Sequence, residues 1–109
     1  MKPANFSPVF ASMYCGLCDV AREHGYALTV HGTMSLDFDV VAIPWTEEAV
    51  EPQELVDALS NLMNLCAGEL FEGVSSEPEV KPHGRLAWLL QFGSGAQIDL
   101  SIMPKTNKK

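Results

Sequence analysis

The chain has 109 residues, of which 47% are hydrophobic, and a formal net charge of −7 at pH 7. This length and apolar content predict one domain at residues 1–104 and a disordered basic tail at residues 105–109. The acidic balance argues against general nucleic-acid binding, because phosphate backbones are held by clustered lysine and arginine. The sequence contains neither an apolar run that could cross a bilayer nor the layout of a secretory signal, so we expect a cytoplasmic protein that does not bind membranes.

The first predicted element is a helix at residues 7–24. Apolar residues recur there at three- and four-residue spacing, which is the pattern of a helix with one buried face. Ser7 followed by Pro8 favours a helix start, and Gly25 favours a stop.

Two strands are predicted next, at residues 26–31 and 36–43. Both segments are rich in β-branched and aromatic residues. A tight turn at residues 32–35 would make the two strands antiparallel, and Pro44 would end the second.

A second helix is predicted to begin at Glu51-Pro52 and to end at Gly68. The residues expected on its buried face are Leu55, Val56, Leu59, Leu62, Met63 and Cys66. After a short extended piece at residues 70–71, residues 73–84 are rich in turn-forming residues and predict a surface loop. Residues 85–92 and 96–103 then predict a closing hairpin. The sequence therefore indicates an α+β fold, with two helices packed on a mixed or antiparallel sheet of four to five strands.

Three aspartates lie within otherwise apolar strands. Asp37 and Asp39 would share one face of the second strand, because side chains alternate across a strand. Asp99 has the same setting, between Ile98 and Leu100. Exposed strand faces often carry aspartate, so a solvated face is the simpler interpretation. Three such residues on neighbouring strands would instead form a Mg²⁺ site, with phosphate completing the coordination.

The motifs that contain these aspartates also resemble a known family. GT at residues 32–33, DFDV at residues 37–40 and IDL at residues 98–100 resemble the core signature of the nucleotidyltransferase superfamily, typified by DNA polymerase beta. This resemblance implies a nucleotidyltransferase-like fold. A wider resemblance, over residues 21–104, is to small uncharacterised proteins of bacteriophages and prophages, which implies an origin in a bacterial host cell.

The superfamily resemblance implies a role for each motif residue. Gly32 and Thr33 would contact the triphosphate of a nucleotide. Asp37 and Asp39 would bind the metal ion. Asp99 would activate the acceptor hydroxyl or help to hold a second metal ion.

Lys81, His83 and Arg85 form a local basic cluster in the predicted loop. Arginine suits bidentate phosphate binding, and Gly84 would let the backbone approach a ligand closely. An ordinary solvated loop stiffened by Pro82 is the alternative. Beside the three aspartates, the cluster predicts the cationic rim of a phosphate site.

Other chemistry-bearing residues are interpreted as structural. Cys15 and Cys18 have the spacing of a redox or zinc pair, but they fall within the predicted first helix, where half-buried side chains are the simpler interpretation. With Cys66 they make an odd count of cysteines, so reduced thiols are expected. Trp45 and Trp88 are assigned to packing.

Two functional hypotheses follow. The first is a small phage-type protein that binds Mg²⁺ and a nucleoside triphosphate, with metal-assisted nucleotidyl transfer if it is an enzyme. The alternative is a catalytically inactive interaction protein of the same fold that binds a host protein. The alternative is favoured by the short segment between Thr33 and Asp37, where working transferases have a helical segment.

Overall fold

The structure is a computed structural model that describes residues 8–31, 37–75, 77–93 and 97–105. For residues 8–12, His31 and Asp37, the structure describes the backbone but not the side chains. The predicted turn at residues 32–35, with Gly32 and Thr33, therefore lies outside the described residues, as do residues 94–96 of the closing turn and residues 106–109 of the tail.

Two helices and six strands make up the described part of the chain. In chain order they are α1 Pro8–Glu23, β1 Tyr26–His31, β2 Asp37–Pro44, α2 Pro52–Ala67, β3 Phe71–Val74, β4 Glu79–Val80, β5 Leu86–Phe92 and β6 Gln97–Ile102. Both predicted helices, the first two predicted strands and the closing pair of strands are confirmed, with bounds that differ by at most one residue at each end. The α+β class is confirmed as well.

The predicted count of four to five strands is wrong, because six are present in the described residues. The extended piece predicted at residues 70–71 corresponds to the start of β3, and β4 is the additional strand. The two pair with different halves of the same edge of β5. β4 has only two residues, and the register of β3 shifts at Gly73, so neither shows the alternation by which strands are recognised in a sequence. The predicted loop is thus partly strand.

The six strands form one mixed sheet in the order β1-β2-β6-β5-β3, with β4 also paired to β5. The pair β2 and β6 is parallel, and the other pairs are antiparallel. β6 is the last strand along the chain, yet it lies between β2 and β5. This insertion brings distant segments of the sequence into direct register.

One face of the sheet carries the helices and the core. α1 packs against α2 and β1, and α2 packs against β3 and β5. The strand residues buried on this face are Tyr26, Phe38, Val40, Ala42, Phe71, Trp88, Leu90, Phe92, Ile98, Leu100 and Ile102. Alternate positions of β2 and β6 therefore point to the face without helices.

Three of the sequence-based assignments to packing are wrong in the structure. Trp45 is 76% exposed, because it follows the end of β2 and lies beyond the sheet, whereas Trp88 is buried as expected. Cys66 and Cys15 are exposed, since each lies toward the outer side of its helix. The thiols of these two cysteines and of Cys18 are free.

Gly25 joins α1 to the sheet in a left-handed conformation with φ of 90°. Its N–H donates to the Arg22 carbonyl at 3.1 Å, and its own carbonyl accepts the N–H of Trp45 at 2.7 Å. Glycine adopts this conformation without steric cost. One residue thus ends the helix and holds the segment that follows β2.

Candidate functional site

Two of the three aspartates lie side by side. In the parallel pair of β2 and β6, Asp39 is directly opposite Asp99, and neighbouring strands are about 4.8 Å apart. The flanking residues Phe38 and Leu100 are buried on the helix face, so both carboxyl groups lie on the other face. The sheet thereby brings together two acidic residues that are far apart in the sequence.

Of the other three motif residues, Gly32, Thr33 and Asp37, the structure places only the backbone of Asp37. The backbone of Asp37 begins β2 and pairs with Gln97 of β6. The side chain of Asp37, together with Gly32 and Thr33, lies outside the described residues. The structure therefore positions the side chains of Asp39 and Asp99 but not those of the other three residues, and the roles of all five are predictions.

Asp39 and Asp99 open into a cavity of about 220 Å³, here called the charged cavity. Its lining residues are Asp39, Val40, Val41, Lys81, Arg85, Asp99 and Ser101. Two of the three predicted basic residues, Lys81 and Arg85, thus meet the aspartates. The third, His83, is exposed and does not line this cavity.

The turn between β4 and β5 explains this division of the basic residues. The N–H of Lys81 donates to the carbonyl of Arg85 at 2.8 Å and closes the turn. Between them, His83 and Gly84 both have left-handed backbones, with φ of 70° and 77°. The closed turn holds Lys81 and Arg85, at its two ends, beside the aspartates. His83 lies at the exposed tip of the turn.

Each cation of the charged cavity has a partner of its own. The Nζ atom of Lys81 lies 3.5 Å from Oε2 of Glu79, and the Lys81 side chain is only 33% exposed. Nη1 of Arg85 donates to Oγ of Ser101 at 3.5 Å. Both cations are therefore positioned before any ligand arrives.

Ser101 was missed in the sequence, although a signal for it exists. It lies two residues after Asp99 on β6, and residues two apart share a strand face. It is 8% exposed, lines the charged cavity and accepts the hydrogen bond from Arg85. Because the helices pack on the other face, the burial of the Ser101 hydroxyl indicates that the turn between β4 and β5 covers the sheet here.

The pKa of Asp99 is raised above its ordinary value. Burial is the main cause, and the negative charge of Asp39 adds to it, as that of Glu79 does more weakly. The positive charges of Lys81 and Arg85 act in the opposite direction. The ionised carboxyl group of Asp99 is therefore less favourable in the folded protein than in water.

Asp99→Asn is expected to raise the melting temperature at pH 7. Because the folded pKa is raised, ionisation of Asp99 destabilises the protein at neutral pH, and this cost disappears as pH falls below about 3.8, where both states are protonated. Thermal unfolding followed by circular dichroism between pH 3 and pH 8 measures the difference. Asp57→Asn, an exposed site on α2, is the control and should show no such pH-dependent gain. A lower melting temperature for Asp99→Asn at pH 7 would contradict the expected sign.

A second cavity of about 390 Å³ adjoins the first, and Asp99 lines both. Its lining residues are Ser75, Glu77, Glu79, Ala87, Trp88, Leu89, Gln97 and Asp99. Ser75 fixes its wall, since its N–H donates to the Leu89 carbonyl at 2.9 Å and its Oγ accepts the Leu89 N–H at 3.1 Å. A ligand held in the charged cavity would have room to extend past Asp99.

The described donors fit a metal ion that keeps part of its coordination for water or substrate. No group of three or more His, Cys, Asp or Glu side chains suited to a metal occurs in the described part of the chain. Mg²⁺ is commonly held by one or two carboxylates, with water and phosphate as the other ligands. The pair Asp39 and Asp99 meets this requirement and would not form a closed structural metal site.

Fold and site together define a two-layer α+β protein with a charged cavity on the uncovered face of a mixed sheet. No protein-family model matches the chain, and no curated protein matches its sequence. None of the described helices is both long enough and apolar enough to span a bilayer.

Proposed function

We propose that the charged cavity binds a divalent metal ion, Mg²⁺, together with the triphosphate of a nucleotide. The observation that carries this proposal is the direct pairing of Asp39 with Asp99 in one cavity with Lys81 and Arg85. Carboxylates supply oxygen ligands to the ion, and guanidinium and ammonium groups supply donors to phosphate oxygens. A metal-bound triphosphate uses both sets of groups at once.

Nucleotidyl transfer is the reaction that we propose for this site. In such a reaction an acceptor oxygen attacks the α-phosphorus, the bond to the β-phosphate breaks and pyrophosphate leaves. The ion would neutralise the charge that develops on the phosphate oxygens. Asp99 would accept the acceptor hydroxyl proton, for which a raised pKa makes it a better base, and Arg85 would hold the phosphate. The sequence motifs that resemble the nucleotidyltransferase superfamily support this proposal, and the wider resemblance supports a phage or prophage origin.

Titration calorimetry with Mg²⁺ or Mn²⁺ and each of ATP, GTP, CTP and UTP tests the proposal. The wild-type chain is expected to bind at least one metal–nucleotide pair. Asp39→Asn should weaken that binding at least tenfold, about 1.4 kcal/mol, because it removes one of the two carboxylates while keeping the side-chain shape. Asp57→Asn, which makes the same change on exposed α2, should bind as the wild type does.

No binding heat with any metal–nucleotide pair would contradict the proposal and favour the interaction protein. That alternative has its own support in the large apolar side chains that are exposed at Ile43, Trp45, Leu65, Leu70 and Val80. An exposed tryptophan is a common anchor of protein interfaces. A protein of this second kind would bind its partner equally well with Asp39→Asn.

A further inference from the structure

The proposed site has an internal charge balance that sets how its ligands bind. Resting on the proposed function, we infer that the charged cavity holds metal ion and polyphosphate only as a pair, and that Lys81 and Arg85 keep free metal ions out. The ligand is then the metal–polyphosphate complex, and each component alone binds weakly.

The charges that line the cavity cancel. Among the residues that line it, Asp39 and Asp99 are negative and Lys81 and Arg85 are positive. Glu79, which pairs with Lys81 from outside this lining, adds one further negative charge nearby. Asp39 and Asp99 are directly opposite each other on β2 and β6, and Lys81 and Arg85 line the same cavity, so these charges lie within reach of one another. In the absence of ligands, the cavity thus supplies its own counter-ions.

A free divalent cation gains two carboxylates here but lies close to two fixed positive charges. The Lys81 side chain is 33% exposed and its Nζ lies 3.5 Å from Oε2 of Glu79, which restricts its movement away from the cavity. Arg85 is held by Ser101. Interactions between partly buried charges are weakly screened, so this repulsion persists at physiological salt.

A free polyphosphate meets the reverse problem. Its oxygens find donors in Lys81 and Arg85, but Asp39 and Asp99 repel them from the other side of the cavity. A metal ion bound between the carboxylates and the phosphate removes this repulsion, and the phosphate neutralises the cations that oppose the metal. Each ligand therefore raises the affinity for the other by the same factor.

Removing one cation should convert the cavity into a site for free metal. In calorimetry with Mn²⁺ alone, Lys81→Met is expected to bind at least tenfold more tightly than the wild type. With an equimolar complex of Mn²⁺ and inorganic tripolyphosphate, the same variant should bind at least tenfold more weakly. A single substitution that shifts two affinities in opposite directions is not explained by loss of folding.

The acidic side of the cavity gives the reciprocal test. With tripolyphosphate in the presence of EDTA, Asp39→Asn is expected to bind at least tenfold more tightly than the wild type. This variant tests the charge balance from β2 and leaves the turn that carries Lys81 unchanged. Asparagine keeps the shape of the aspartate side chain, and Asp39 is exposed.

Two controls separate charge from other effects. Lys81→Arg keeps the positive charge and should retain the wild-type pattern, and Arg22→Met removes a cation from the exposed surface of α1 and should change neither affinity. Tight binding of free Mn²⁺ by the wild type, unchanged in Lys81→Met, would overturn this inference while leaving the proposed function intact. Failure of the wild type to bind any metal–polyphosphate complex would overturn both.

Discussion

Leu55→Ala is expected to lower the free energy of unfolding by about 2–5 kcal/mol. Leu55 is fully buried on α2, where it belongs to the cluster between the helices and the sheet. Truncation to alanine removes buried methyl groups and leaves a cavity that a packed core fills only in part. Domains of this size are stable by about 5–15 kcal/mol, so much of the total would be lost. Urea denaturation of the variant and the wild type measures the change.

Leu65→Ala is the matched control for this experiment. It makes the same substitution on the same helix, but Leu65 is 84% exposed. Its effect is expected to be within about 0.5 kcal/mol of zero, because no buried contact is lost. Equal losses at the two positions would contradict the assignment of the core to the inner side of α2.

Gly25→Ala is expected to lower the free energy of unfolding by about 3 kcal/mol, as the sum of backbone strain and a steric clash. Gly25 has φ of 90°, a conformation that residues with a side chain rarely adopt. A Cβ atom there would also lie 2.5 Å from the Cα of Ala49 and 2.9 Å from the Oγ1 of Thr46. Backbone cannot yield as a flexible side chain does, so the segment that follows β2 would have to shift. Thermal and urea unfolding measure the loss.

Gly68→Ala separates the two effects at Gly25. Gly68 ends α2 with φ of 59°, but no atom of the described residues lies within 4 Å of the position that a Cβ would take, so only backbone strain would be introduced. The Gly68→Ala substitution is expected to lower the free energy of unfolding by about 1–2 kcal/mol. A loss at Gly25 no larger than the loss at Gly68 would show that contact with Ala49 contributes nothing.

The helices and long strands could be predicted because their signals are local. Residues such as Leu55, Leu59 and Met63 on α2 recur with helical spacing, and β2 begins with alternating acidic and apolar residues before a β-branched apolar run. β4 and most of β3 could not be predicted in this way, since these segments are short and acquire their extended form by pairing with β5. Local propensity is weaker than tertiary pairing in such segments.

At the candidate site, too, the sequence predicted what depends on neighbouring residues and did not predict what depends on the pairing of distant strands. Alternation alone placed Asp39 on the face away from Phe38, and it could have added Ser101 to Asp99. The parallel pairing of β2 with β6, on which the meeting of the aspartates depends, leaves no local mark in the sequence. His83 was grouped with Lys81 and Arg85 by proximity in the chain, whereas the left-handed turn separates it from them.

The central place of β6 has a consequence for biosynthesis. Its hydrogen bonds are the link between the hairpin of β1 with β2 and the strands β5, β3 and β4. In a nascent chain that ends before residue 97, the edges of β2 and β5 that pair with β6 in the folded protein have no partner strand. Because β6 also carries Asp99 and Ser101, the charged cavity is complete only once this strand lies between β2 and β5.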